Sequence, residues 1–210
     1  YSIQPWLDRV RASRSDIEYL EIASEYVTSL RDTHSELSIP SNFTAEIGIH
    51  ADIYDNKVLI ETISRTELPV TRYPFQVGDD VVSIDGKSAE DLIRDFSRFA
   101  TLANPRGTRR LGASYLFFRP QEQLPRAHEL AADAVVVVRR SNGDLETYSI
   151  PWVKRGIPIV NLSPIPGPFT AADKQRPAAW ASGDYRDFMR RIQMRMTPQR
   201  GRITGWGARA

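Results

Sequence analysis

Residues 75–93, FQVGDDVVSIDGKSAEDLI, force three local structures into a short length of chain. Val81, Val82 and Ile84 are β-branched and bracketed by turn formers, so they centre a strand within 75–84. Gly78 permits a turn ahead of it, and Asp85-Gly86 ends it, because glycine accepts the positive φ of a tight turn. Ser88 then offers its hydroxyl as the N-cap of a helix over 89–100 that carries Leu92, Ile93, Phe96 and Phe99. A strand turned onto a helix by so few residues requires a helix packed beside a sheet.

The flanking chain extends that frame. Ser15 and Glu18 have the spacing of a capping box. Behind them Ile17, Leu20, Ala23, Val27 and Leu30 recur every three or four residues, which predicts an amphipathic helix over 16–31. Trp6, Leu7 and Val10 after Pro5 predict a shorter helix before it. Ile47, Ile49, Ala51 and Ile53 alternate with Gly48, His50 and Asp52 as in a strand, and 58–63 reads as its return after a turn at 55–57. A second helix is expected over 109–118, ended by Pro120. The run at 135–138 pairs with 145–152 across Asn142-Gly143, a strong hairpin signal.

Beyond Trp152 five prolines within 157–178 predict an extended segment, and a helix is expected over 184–196 before a glycine-containing tail. The expected fold class is therefore α+β. A small helical unit (1–40) precedes a five- to six-stranded, partly open barrel or sandwich with one or two inserted helices (41–155). Residues 156–210 form the extended segment, helix and tail.

Composition removes several functions. The absence of cysteine excludes a disulfide framework, thiolate zinc sites and a cysteine nucleophile. The chain has three histidines, and none has a partner at metal-ligand spacing, so no metal or other cofactor is expected; HELAADA at 128–134 lacks the second histidine of a zincin. His50 alternates with apolar strand positions and reads as an exposed sheet residue. No apolar run is long enough to cross a membrane. Seven arginines against one acid in 186–209 read as a solvated helix face and tail, with an anionic-surface binder as the sharper alternative. No stacking pattern or phosphate loop accompanies them, and no nucleic-acid partner is expected.

Two motifs in order resemble a known family. The stretch 75–93 resembles the part of PDZ domains in which Gly-Asp leads into a strand ending in Ile-Asp-Gly. Some forty residues earlier, LRDTHSEL at 30–37 resembles the motif that ends the N-terminal helical unit of C-terminal-processing and tricorn-like serine peptidases. The resemblance covers roughly 15–153. It implies that His34 is the general base; by position alone Asp32 reads as a helix-end or neighbouring acceptor and Thr33 as a weak orienting group. A neutral imidazole near working pH suits that role. It also implies peptide binding by strand addition at a groove formed by Ile47, Gly48 and Ile49 with Leu92 and Phe96. Glu46 stands where the family loop has its first glycine, and its charge opposes capture of a peptide's terminal carboxylate.

No segment after Trp152 has the glycine- and serine-rich turn of the family nucleophile; Ser163 sits among prolines and Ser182 precedes an arginine-rich helix. The resemblance therefore implies an N-terminal and PDZ portion of a longer serine endopeptidase. Its partners would be a polypeptide substrate, or a segment of the chain itself in the groove, and the remaining catalytic core. The compartment implied is periplasmic or extracytoplasmic. The competing reading is a stand-alone PDZ peptide-binding or scaffold protein, in which His34 is only the polar end of a helix, where a cation is favoured.

Overall fold

The computed structural model describes residues 2–100 and 102–161, and the expectations for 162–210, including the helix over 184–196 and the arginine-rich tail, lie outside them. The order is α1 (Gln4–Ala12), α2 (Asp16–Ser29), β1 (Thr44–Glu46), β2 (Ile49–Tyr54), β3 (Lys57–Ile63), β4 (Asp80–Ile84), β5 (Lys87–Ser88) and α3 (Ala89–Phe96). There follow α4 (Pro105–Ser114), β6 (Phe118–Pro120), β7 (Asp133–Arg139), β8 (Leu145–Pro151) and β9 (Val153–Arg155). Single 3₁₀ turns lie at Ser97–Phe99 and Ala127–Glu129. Among the described residues no helix is long and apolar enough to cross a membrane.

The class is α+β, with two open antiparallel sheets that do not close into a barrel. The larger runs β2-β3-β4-β7-β8 with β5 beside β4, and the smaller runs β6-β1-β9. Left-handed turn residues set the hairpins. Asp55 and Asn56, at φ 46° and 63°, join β2 to β3, and Asp85 and Gly86, at 52° and 79°, join β4 to β5. The Asp85 carboxylate also accepts from the Val135 N–H at 2.8 Å, which pins that turn to β7. In β7 the valine run alternates: Val136 and Val138 are fully buried while Val135 faces out.

Three expectations shift. The strand over 47–53 is broken at Gly48, whose φ of 69° turns the chain from the small sheet into the large one. The helix over 89–100 stops at Phe96 and tightens into the 3₁₀ turn. The helix over 109–118 lies instead at Pro105–Ser114, because Asn104 caps it by accepting from the Gly107 N–H at 2.7 Å, with Pro105 at the first helical position. It ends before Pro120 because Tyr115, Leu116 and Phe117 turn into the core.

Helix α4 packs on α3 on one side and on β2 on the other, whereas α3 and β2 have no comparable contact with each other. Close approach to α3 depends on Gly112: a Cβ there would lie 2.7 Å from the Ile93 carbonyl oxygen and 2.8 Å from Ser97 Oγ. A Gly112→Val substitution is expected to lower stability by about 1–3 kcal/mol through overpacking. Urea unfolding checks it; an unchanged midpoint would mean that α4 can shift without cost.

Candidate functional site

His34 follows the end of α2. The chain leaves the helix through Arg31, at φ 54°, into a turn organised by Asp32. Asp32 Oδ1 accepts from the His34 backbone N–H at 3.1 Å, and Oδ2 accepts from the Ser35 hydroxyl at 2.7 Å. Asp32 Oδ1 also stands 3.5 Å from His34 Nδ1. The imidazole side chain is 95% exposed. The Ser35 hydroxyl is committed to Asp32, and among the described residues no serine hydroxyl bonds the His34 ring. Thr33 Oγ1 accepts from the Ala103 N–H at 3.2 Å, tying this loop to the segment that leads into α4.

Ile47, Gly48 and Ile49 lie together at the junction of β1 and β2, with both isoleucine side chains buried. The Ile47 N–H is already used, donating to the Phe117 carbonyl at 3.2 Å. The Glu46 carboxylate forms an ion pair with Arg155. Helix α4 occupies the space between the edge strand β2 and α3. It is latched by Arg110, which bonds Asp52 through two nitrogens (Nε to Oδ1 at 3.1 Å), and by Arg109, whose Nη2 donates to Glu90 at 2.6 Å. The chain's own helix thus sits where an added peptide strand would lie.

Leu92 and Phe96 are separated from that junction. They face a cavity of about 230 Å³ shared with Phe99, Leu124, Ala127 and Leu130. Arg119, from β6, also lines it and is only 8% exposed. Its guanidinium carbon lies 5.0 Å from the Phe96 ring centre and 4.8 Å from that of Trp152. Its one hydrogen bond is long, Nη2 to the Leu116 carbonyl at 3.4 Å, and Nε has no partner. Burial pulls Arg119 down to about 10, so it is still a cation at neutral pH. Each desolvated cation–π contact is worth roughly 2 kcal/mol. Enclosing an unpaired ion costs several kcal/mol, so the rings offset only part of it. Nothing in the sequence marks this arginine, because its burial depends on rings contributed by α3 and the turn after β8.

The other two histidines sit in ordinary settings. His50 is exposed on β2, and His128 Nδ1 stands 3.0 Å from the Gln121 amide nitrogen. Among the described residues no three acidic or histidine side chains gather as a metal site.

The Ser35 hydroxyl, followed by the His34 backbone N–H, holds the Asp32 carboxyl below its usual value of 3.8. A depressed carboxylate stabilises its turn above the unfolded-state pKa, and that contribution is lost as pH falls through the folded value. In a carboxyl-carbon NMR titration Ser35→Ala should move the Asp32 midpoint upward; no movement would detach the hydroxyl from the effect. Asp52 is likewise depressed, chiefly by Arg110. Arg110→Ala should raise the Asp52 midpoint and speed amide exchange across α4 while leaving the β7–β8 hairpin protected. Unchanged exchange in α4 would show that the latch is dispensable.

A family model of the PDZ domain matches residues 44–156. Among solved structures, mature CPAF complexed with lactacystin is similar, with a TM-score of 0.57 and 15% identity over 72% of this chain and 28% of that one. Mature CPAF gives 0.58 with the same identity and coverage, and a serine-to-alanine mutant of CPAF gives 0.59 at 14% identity, over 72% and 27%. The chain thus spans less than a third of the structures it resembles, and at this identity the likeness is one of fold. No curated protein matches the sequence. With the matched model covering more than half of its 210 residues, the protein belongs to the PDZ domain family.

Proposed function

We propose that this chain is the N-terminal and PDZ portion of a serine-type endopeptidase of the C-terminal-processing or tricorn-like kind, in which His34 is the general base. The observation that carries this reading is the geometry of the His34 turn, ahead of a PDZ domain. One ring nitrogen stands beside an anchored carboxylate and the rest of the imidazole is open. A base needs that arrangement: the carboxylate orients the ring and stabilises the imidazolium, and the second nitrogen takes a proton from an attacking hydroxyl. The fold likeness to CPAF, a serine protease, supports the same reading. The nucleophile would come from outside the described residues, and the working location would be extracytoplasmic. The PDZ portion would hold polypeptide by strand addition on β2, which requires α4 to give way.

A second reading is favoured by one observation: no serine hydroxyl among the described residues meets the His34 ring. In that reading the chain is a peptide-binding module without catalysis. The two separate in the full-length gene product assayed on unstructured polypeptides. His34→Gln should lower kcat by about 10²–10⁴-fold with little change in KM. Full activity in that variant would remove His34 from the mechanism, and a wild-type protein that binds polypeptide without cleaving it would leave the binding module.

A further inference from the structure

A second cavity, of about 430 Å³, lies among the end of α2, α3 and the start of α4, and its polar groups leave a positive charge unanswered. Its one carboxylate, Glu90, is bound through both oxygens by Arg109. The Ser97 hydroxyl donates to the Ile93 carbonyl, and that of Thr108 is shared between the Leu102 and Asn104 carbonyls. Asn104 Oδ1 is spent on the Gly107 N–H. Three guanidinium groups line the walls. Arg109 is matched by Glu90 and Arg94 by Asp91, each at 2.6 Å. Arg31 has no ion-pair partner among the described residues. Its backbone stands at φ 54°, a position after a helix that glycine fills more easily, so an arginine is held there against its backbone preference. The cavity also adjoins the His34 turn. Arg31 is three residues before His34, which keeps their Cα atoms within about 11 Å. Ala103, in the cavity wall, donates its N–H to Thr33 Oγ1 at 3.2 Å.

We propose that this cavity receives an acidic side chain of the polypeptide substrate, paired with Arg31, a few residues from the bond that is cut. The assignment rests on the reading of His34 as the base. An extended chain advances about 3.3 Å per residue, so an aspartate or glutamate up to about three positions from the scissile bond spans the distance. The two oxygens of a carboxylate match the forked donors of a guanidinium, and Arg31 has all of its donors free to offer. The group recognised is a side chain within the polypeptide, not its terminal carboxylate. Arg31 is exposed, so salt would screen the pairing.

The test uses the full-length gene product and unstructured peptides acetylated and amidated at their ends, so that no terminal charge competes. A single glutamate is walked along the peptide and compared with glutamine at each position. Cleavage gives kcat/KM, and the anisotropy of the same peptides carrying a fluorophore gives Kd. The expected result is a position within three residues of the cut at which glutamate is favoured by about tenfold in both quantities at low salt, the worth of one charge-assisted hydrogen bond, with the advantage shrinking as salt rises. Arg31→Gly should bring glutamate and glutamine together at that position without lowering the unfolding midpoint, since glycine suits the positive φ. Arg31→Lys keeps the charge on the same unsuited backbone and should keep the preference. Equal values for glutamate and glutamine at every position, a preference that survives in Arg31→Gly, or no binding of any peptide at millimolar concentration would overturn the proposal. Failure of the peptidase reading looks different: the glutamate peptide binds through Arg31 and is not cut.

Discussion

One buried side-chain amide ties together the parts of the chain on which both candidate sites rest. Gln121 is 0% exposed, and its oxygen accepts from the Ser41 hydroxyl at 2.6 Å and the Ile159 N–H at 2.8 Å. Its nitrogen donates to the Pro125 and Ile159 carbonyls at 3.1 and 2.7 Å. Because the Ile159 N–H can only donate, the orientation of the amide is fixed. Stretches far apart in sequence therefore meet at one residue, and removing it would leave several backbone groups buried without partners, each a cost of about 1–3 kcal/mol. Two residues before it, Arg119 enters the core; some ten residues before it, α4 lies along the large sheet.

The hold on α4 comes mainly from shape. Arg109 and Arg110 make well-formed pairs with Glu90 and Asp52, but the arginine side chains and Glu90 remain in contact with water. Such exposed pairs are worth roughly 0–1 kcal/mol each. The close approach at Gly112 and the burial of Ala113 against the core count for more, since a lost methylene alone is worth about 0.8 kcal/mol. The charges select the position of the helix, and packing keeps it there.

Much of the frame was legible in the chain itself. The helix after Ser15, the Asp85-Gly86 and Asn142-Gly143 turns and the alternating valines each carry a local reason strong enough to survive in the tertiary structure. Alternation runs through Gly48 and marks it as a strand residue, while its positive φ follows from two sheets meeting there. The three-residue strands β1, β6 and β9 are too short for a period and exist because they pair with one another. Apolar spacing sets α4 too late in the chain because its apolar residues are few; the cap at Asn104 is the better guide. Leu92 and Phe96 share a helix face by their spacing, but nothing in the sequence says which neighbour that face meets. The same holds for Arg119, which reads as one more surface arginine until Phe96 and Trp152 close on it.

Gly156 lies so close to Asn42 that a Cβ on it would sit 2.2 Å from the Asn42 carbonyl oxygen, and the Ile157 N–H donates to Asn42 Oδ1 at 2.9 Å. The chain therefore enters and leaves the module at the same point, through a closed neck. A domain built this way can be carried in a loop of another protein without stretching its host, since host ends a few ångströms apart suffice.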